Sequence, residues 1–143
     1  MRLSLQEIRA GRAGLNGHRR ALLAKVPNSN DYASFEIDFI SMKDLAYLTA
    51  ATGDEFALLE GKHDMILFHG TALNCNFPLI IYEGFMSGKY QLYGHSHPGE
   101  DIPVAPMHDI RFLAEIGQAK SRLISARTGI EITFGSNQFD PII

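Results

Sequence analysis

The sequence is poor in cysteine and has no long apolar segment. Its 143 residues contain one cysteine, Cys75, which excludes an intrachain disulfide and favours a reducing compartment. We expect a buried thiol at this position rather than a nucleophile. No apolar run approaches the ~20 residues that a membrane-spanning helix needs, and the N-terminal residues lack the apolar stretch of a secretory signal. These absences predict a cytoplasmic protein with no membrane partner.

The charges are unevenly distributed, although the formal net charge is only −3. Residues 1–25 hold one acid, Glu7, and six basic residues: Arg2, Arg9, Arg12, Arg19, Arg20 and Lys25. Because no aromatic residue is interleaved with these charges, we predict no nucleic-acid partner and interpret residues 1–31 as a basic, partly helical N-terminal arm. Residues 32–143 are then enough for one globular domain, in a chain that is 45% hydrophobic.

Hydrophobic periodicity and turn residues predict alternating strands and helices after the arm. We expect a strand over 34–39, a helix from Ser41 to Gly53 with a capping box to Asp44, and a hairpin over 55–70. The segment 79–90 is compatible with either a helix or a strand. The later predicted elements are a strand over 91–95, a helix with Pro106 in its first turn, and strands over 122–126 and 130–134. This order predicts an α/β fold, a mixed sheet flanked by helices.

Two histidines in the segment Gly94-His95-Ser96-His97-Pro98 have the spacing of a metal site. On an extended segment, residues i and i+2 project to the same face, so both imidazoles can reach one ion. Asp109 follows, at the start of the predicted helix. Two imidazoles and one carboxylate make a three-ligand zinc site with a fourth position open to water, the arrangement of catalytic rather than structural zinc. We therefore predict Zn²⁺ bound by His95, His97 and Asp109.

Other polar residues near this segment and elsewhere receive simpler interpretations. Ser96 is expected to be a spacer, because its side chain should point away from both imidazoles. Tyr93 is a strand residue near the site and a candidate for lining a substrate channel. The remaining histidines outside the segment are interpreted as surface or satisfied core residues: His18, His63 and His69.

The histidine segment, its Pro-rich loop and the helix-initial Asp109 together resemble the signature of JAMM (MPN-type) zinc metalloproteases. That family includes deubiquitinase-like isopeptidases and JAB-like domains of bacterial polymorphic-toxin and phage-associated proteins. The segment Thr52-Gly53-Asp54-Glu55-Phe56-Ala57 is similar to a stretch of the latter domains, and the resemblance implies that Glu55 is the general acid/base. It also implies an MPN-type, cytidine-deaminase-like fold and a peptide or ubiquitin-like protein tail as substrate.

The resemblance implies a mechanism without a covalent enzyme intermediate. Zinc would lower the pKa of a bound water towards ~7. Glu55 would take a proton from this water and later protonate the leaving amine. The protein would then be a metallopeptidase or isopeptidase.

Two departures from the family pattern leave other functions open. The family's spacing after the second histidine is one residue shorter, which would place His108 at the third ligand position. The family's serine, three residues before that ligand, is replaced by Pro106, or by Ala105 in the ungapped register. Its loss would cost ~100-fold or more in rate if nothing replaces the hydroxyl. The alternatives are a catalytically weak or inactive MPN-like binding module and a toxin-associated processing domain.

Overall fold

Six strands form one sheet in the computed structural model, which describes residues 15–136. The strands are β1 (Tyr32–Glu36), β2 (Phe56–Glu60), β3 (Asp64–His69), β4 (Gln91–His97), β5 (Lys120–Ser125) and β6 (Glu131–Gly135). Their order across the sheet is β1-β3-β2-β4-β5-β6. Only the β4–β5 pair is parallel, and the other neighbours are antiparallel. The prediction of a mixed sheet is therefore confirmed.

Within the same residues, four helices connect or flank these strands. They are α1 (Gly17–Lys25), α2 (Met42–Thr52), α3 (Leu79–Met86) and α4 (Met107–Ile116). Helix α4 lies in the connection between β4 and β5, as a parallel strand pair requires a crossover. Among the residues described, no helix has the length and apolar character needed to cross a membrane.

The sheet separates two apolar clusters, so that the protein is a single mixed α/β domain with buried side chains on both faces of its central strands. Leu58 of β2 packs in the first cluster with residues of α1 and α2, whereas its neighbours Ala57 and Leu59 pack in the second. The second cluster also contains residues of α3 and α4, such as Phe85 and Leu113. Alternate residues of β2 thus face opposite helical layers.

The predicted helix after Ser41 and the predicted hairpin are confirmed. Ser41 and Asp44 form both hydrogen bonds of a capping box, and Gly53 ends α2 with φ of 80°, a conformation that glycine adopts without a steric penalty. Strands β2 and β3 pair in antiparallel register, and the Gly61 N–H donates to the Asp64 carbonyl at 2.8 Å.

Several element boundaries differ from the predictions: β1 and β5 begin two residues earlier, at Tyr32 and Lys120, and β4 continues to His97 rather than ending at 95. Strand β1 ends at Glu36 rather than at 39, because Asp38 has φ of 67° and turns the chain. The ambiguous segment 79–90 contains a helix, α3, followed by Gly88 at φ of 81°. Pro106 is the N-cap of α4 and not part of its first turn.

Helix α1 belongs to the part of the chain that we interpret as an arm. Leu22 of this helix is fully buried in the first cluster, and so is Val26, the residue that follows the helix. The Arg19 Nε donates to Asp44 Oδ1 of α2 at 2.9 Å, and its guanidinium lies 3.8 Å from the centre of the Tyr47 ring.

Residues 1–14 of the arm lie outside the described residues. The predicted boundary at residue 31 between the arm and the domain stays a prediction. Residues 15–26 nevertheless pack against the same apolar cluster as α2.

Candidate metal centre

A β-bulge in β4 sets the direction of the two histidines. Leu58 of β2 pairs with Gly94 and Leu59 pairs with Leu92, so that Tyr93 is an extra residue without a partner on β2. The extra residue shifts the alternation of side chains. As a result Leu92 and His95, three positions apart, both line a cavity on the side of α4. Bulges of this kind are common beside active sites because they redirect a side chain.

The same bulge moves Tyr93 away from the imidazoles, which corrects the interpretation of Tyr93 as a channel residue. The Tyr93 side chain packs against the first apolar cluster. The Arg122 guanidinium lies over its ring, 4.1 Å from the centre. Simple alternation along β4 would place Tyr93 and His95 on one face, and the inserted residue breaks that alternation.

Ser96 lies on the opposite face from the two imidazoles, as alternation between His95 and His97 predicts. Its hydroxyl is fully buried and bonds the hydroxyl of Thr49 in α2. It also accepts a hydrogen bond from the Phe56 backbone N–H at 3.0 Å. Ser96 therefore connects the histidine segment to the first residue of β2, which directly follows Glu55.

Four side chains converge on the α4 side of β4. The Asp109 Oδ2 atom lies 2.9 Å from His95 Nε2 and 3.2 Å from His97 Nε2. The Glu55 Oε2 atom lies 3.7 Å from His97 Nε2. Glu55, His95 and His97 each offer a ligand atom within 4.8 Å of the others. Ligands bound tetrahedrally to zinc at ~2.1 Å are about 3.4 Å apart, which is close to the contacts of 2.9, 3.2 and 3.7 Å, so these side chains could hold one metal ion.

Asp109 enters this group because of how α4 packs. The helix starts after the Pro106 N-cap, and its buried residues Ile110 and Leu113 attach it to the second apolar cluster. This orientation turns Asp109, in the first turn, towards the histidines. His108 points outward with its side chain 67% exposed, and its Nε2 lies 3.2 Å from the other carboxylate oxygen of Asp109, Oδ1. Of the two candidates for third ligand, Asp109 is the one in contact with both imidazoles.

This geometry predicts different effects for two neighbouring substitutions. Asp109→Ala is expected to weaken zinc binding by at least ~100-fold, because it removes a ligand, whereas His108→Ala should weaken it by only ~10-fold, the low end of what loss of an outer partner costs, because the His108 side chain is 67% exposed. The measurement is a competition titration with a chromophoric zinc chelator. The reverse order of the two effects would show that the family's shorter spacing applies to this chain.

Glu55 is held next to the cluster by backbone hydrogen bonds to the β3 end and the loop after it. Its N–H donates to the Thr71 carbonyl at 2.8 Å, and its own carbonyl accepts from the Gly70 N–H at 2.7 Å. Gly70 allows this close approach. A Cβ atom there would lie 2.9 Å from the Glu55 carbonyl oxygen and 2.6 Å from the Asn74 carbonyl oxygen, and backbone atoms cannot easily move aside.

We therefore expect Gly70→Ala to destabilise the protein by about 1–3 kcal/mol, the usual cost of overpacking a buried position. Chemical denaturation measures the change. Gly99→Ala is the matched control near the same site, because a Cβ atom at Gly99 meets nothing within 4 Å, and its effect should stay within ~0.5 kcal/mol. Equal effects of the two substitutions would contradict the close approach at Gly70.

Burial and mutual charge shift the pKa values of all four side chains. Burial raises the Glu55 pKa to about 8, with His97 opposing this shift and Asp109 and Glu100 adding to it. For Asp109, burial would raise the pKa, but the hydrogen bonds with His95 and His97 outweigh it and hold the value well below the usual range. Asp109 is thus a permanent carboxylate, and Glu55 is a carboxyl that can exchange protons near neutral pH.

The two histidines differ in their environments. Burial lowers the pKa of His95, against the hydrogen bond to Asp109. Burial would also lower the pKa of His97, but the hydrogen bond to Asp109 and the charges of Glu55, Asp109 and Glu100 together raise it. The Nδ1 atom of His95 is buried and has no hydrogen-bond partner among the described residues. Buried polar atoms without a partner are rare, and this atom lies on the opposite side of the ring from the Nε2 atom that meets Asp109.

The chemistry of these donors fits a zinc ion. Imidazole nitrogens and carboxylate oxygens are both zinc ligands, and the side chains are nearly excluded from solvent. Cys75, whose thiol lies near the cluster, does not extend the donor set. Burial, with the charges of Glu55 and Asp109, raises the pKa of Cys75 well above its ordinary value. A raised pKa disfavours the reactive thiolate form, and Cys75 is half-buried rather than fully buried as the sequence predicts.

The structure adds one polar residue that the sequence argument did not consider. Glu100 Oε1 lies 3.8 Å from His97 Nδ1, on the outer side of that imidazole. Its loop is attached to the β5–β6 turn, where Arg127 Nε donates to Asp101 Oδ1 at 2.7 Å. The signal available in the sequence was a carboxylate three residues after His97, and such outer partners orient ligand imidazoles in metal sites.

The remaining histidines have the simpler roles predicted for them. His69 is 2% exposed, and both of its nitrogens have partners, the Val26 carbonyl at 2.7 Å and Asp54 Oδ2 at 2.8 Å. His18 bonds Asp44 and packs edge-on against the Phe39 ring. His63 is exposed between β2 and β3.

Comparisons of this chain with protein-family models, with curated proteins and with solved structures gave no match. Its function is therefore inferred from the side chains described above.

Proposed function

We propose that this protein is a zinc-dependent hydrolase of amide bonds in peptides or ubiquitin-like protein tails, of the JAMM (MPN) type. One observation carries the proposal. The Nε2 atoms of His95 and His97 meet a single carboxylate oxygen of Asp109, with the Glu55 carboxyl beside them. A structural role does not require four polar groups, three of them buried and Asp109 half-buried, to converge on one point, because their burial costs desolvation.

In this proposal His95, His97 and Asp109 hold the metal. Three protein ligands leave one position for water or substrate, as in catalytic zinc sites. The ion would supply positive charge for the oxygen on which charge develops and would lower the pKa of a water molecule. The Asp109 carboxylate would offset part of the ion's charge, and Glu100, 3.8 Å from His97 Nδ1, adds a negative charge on the outer side of that ring.

Glu55 moves the proton. The Glu55 carboxyl is buried beside His97. The hydrogen bonds of Glu55 with Gly70 and Thr71 involve only backbone atoms, so they do not occupy the carboxyl oxygens. A raised pKa allows the carboxyl to accept a proton from water and to return it to the leaving amine near neutral pH. A bound cation would favour the carboxylate form of Glu55 and so prepare it to act first as the base.

The shape of the site fits a substrate that continues on both sides of the reacting bond. Two cavities, of about 220 and 250 Å³, are each lined by Glu55 and His108 and extend from the cluster in different directions. The first also contains His95 and the second His97. An amide placed at the cluster would therefore have one protein cavity for each of its two flanking groups.

A second candidate, a metal-binding MPN-like module with weak or no turnover, is favoured by a specific observation. Pro106 caps α4 without a side-chain hydrogen bond, at the place where the resembled family has a serine hydroxyl. Loss of one donor to the developing oxyanion costs ~100-fold or more in rate when nothing replaces it. The two candidates agree on zinc binding and differ only in turnover.

Metal removal tests the proposed function. Zinc-loaded protein incubated with a mixture of unmodified and lysine-branched peptides should produce cleavage products that mass spectrometry detects. Products should disappear after chelation and return when zinc is added. Stoichiometric zinc with no cleavage of any substrate would support the binding module instead. Cleavage that survives complete removal of the metal would contradict the proposed mechanism.

A further inference from the structure

The cavity of about 220 Å³ has walls that the reaction itself does not require. Polar groups of the cluster, Glu55, His95 and Asp109, lie along one side of it. The rest of the wall is mostly apolar and comes from the loop before α3, from β2 and β4, from α4, and from β6. These residues are Ala57, Cys75, Phe77, Leu92, Phe112 and Phe134.

The aromatic part of this wall is fixed by packing inside the second apolar cluster. The Phe77 ring centre lies 4.9 Å from that of Phe68, 5.1 Å from Phe85 and 5.6 Å from Phe112. Phe134 is 2% exposed and meets the His95 ring edge to face. Side chains that contact several rings have few alternative positions. The cavity is therefore preformed next to the candidate metal ligands.

The size of the cavity indicates what it holds. Pockets for drug-sized ligands measure ~300–1,000 Å³, whereas this cavity is smaller but exceeds the ~30 Å³ of one water molecule several-fold. It therefore has room for a single side chain. Two exposed asparagines and His108 border its opening, where the polar backbone of such a ligand would lie.

The chemistry of the wall selects among side chains. A lysine or arginine side chain inside the cavity would lose its hydration against the aromatic rings. The two acids of the wall, Glu55 and Asp109, already contact the imidazoles and so would not offset this loss. A carboxylate would likewise lose its hydration against the apolar wall. Cys75 contributes a small, largely apolar side chain to the wall. Burial of a large apolar side chain is favourable in such surroundings.

We propose that this cavity binds one large apolar side chain of the substrate, leucine, methionine or phenylalanine, on a residue adjacent to the amide bond that is cleaved. The cleavage part of this inference rests on the proposed function, whereas binding of the side chain does not. The cavity thus makes the protein selective for peptide segments with an apolar residue at one side of the bond. A substrate tail with only glycine at both flanking positions would leave it empty.

Binding to the metal-free protein tests the cavity separately from catalysis. The probes are N-acetyl-phenylalaninamide and N-acetyl-leucinamide, with N-acetyl-glycinamide and N-acetyl-lysinamide as controls, and the readout is the amide chemical shifts of the cavity residues in NMR titrations. We expect the two apolar probes to shift the signals of Phe77, Phe112 and Phe134 and to bind at least ~10-fold more tightly than the controls. Equal affinity for all four probes, or no shifts, would overturn the inference.

Two substitutions change the volume of the cavity in opposite directions. Cys75→Leu should fill it and weaken the phenylalanine probe by ~10-fold or more, while the matched control Ala72→Leu, in the other cavity, should have little effect. Cys75 lies close to Gly70, so a leucine in its place would also crowd the backbone there. Phe112→Ala therefore provides a second variant, which enlarges the cavity. This variant should shift preference from the phenylalanine probe towards a naphthylalanine probe. Unchanged selectivity in both folded variants would contradict the assigned position of the side chain.

Peptide cleavage then separates failure of the inference from failure of the proposed function. A peptide set that varies both residues flanking the cleaved bond should give cleavage preferentially at apolar residues. Selective probe binding with no cleavage would support the cavity and contradict the hydrolase. Cleavage without preference, together with unselective probe binding, would support the hydrolase and overturn the inference.

Discussion

His97→Ala is expected to abolish stoichiometric zinc binding. His97 is the imidazole that contacts both carboxylates, with Nε2 3.2 Å from Asp109 and 3.7 Å from Glu55. Loss of an outer partner of a zinc ligand already costs 10–100-fold in affinity, so loss of the ligand itself should cost more than ~100-fold. The measurement is metal analysis of the purified protein together with a zinc titration.

The same substitution should also remove stabilisation by zinc. A ligand at 100 times its dissociation constant stabilises a folded protein by about 2.7 kcal/mol, so added zinc should raise the melting temperature of the wild type but not of His97→Ala. His63→Ala is the control, because His63 is an exposed histidine between β2 and β3. If wild-type protein holds no stoichiometric zinc, or if His97→Ala holds as much as wild type, the metal centre is refuted.

Glu55→Gln is expected to keep zinc and to lose amide hydrolysis. The amide has nearly the same shape as the carboxyl but cannot take a proton from water, and general acid/base groups contribute ~10²–10⁴-fold to rates. We expect kcat to fall by that factor with little change in zinc affinity. Steady-state kinetics on a cleaved peptide, with metal analysis of the same preparation, measures both quantities.

The control for this variant is Glu60→Gln, at the other end of β2. It makes the same Glu-to-Gln change at the end of β2 that is distant from the cluster, where Glu60 pairs with Gln91. Its kcat should remain near the wild-type value. Undiminished cleavage by Glu55→Gln would assign the proton transfer to another group, and loss of zinc in this variant would make Glu55 a ligand instead.

Much of the fold could be predicted from local rules. The capping box at Ser41, the glycine that ends α2, and the turn between β2 and β3 each depend on residues within a few positions of one another. The boundaries of β1 and the start of α4 were less accurate, because Asp38 and Pro106 are compatible with more than one local conformation. The local sequence over 79–90 is compatible with a helix or a strand. A helix forms there, and its residues Ile81 and Phe85 pack in the second apolar cluster, which the local sequence does not predict.

The candidate site divides in the same way. The shared face of His95 and His97 follows from strand geometry, and so does the opposite direction of Ser96. The position of Tyr93 against the first apolar cluster does not follow from strand geometry, because a bulge depends on pairing between β4 and a strand more than thirty residues earlier in the sequence. The cavity walls likewise combine residues from β2 to β6.

The sequence by itself determined that two imidazoles share one face of a strand, with an acid-bearing helix and a strand-initial glutamate elsewhere in the same α/β domain. Local geometry was sufficient for this, because alternation and capping act over a few residues. Only the tertiary structure decided which acid meets the imidazoles. The packing of Ile110 and Leu113 against the sheet sets the rotation of α4 about its axis, and that rotation turns Asp109 inward and leaves His108 exposed.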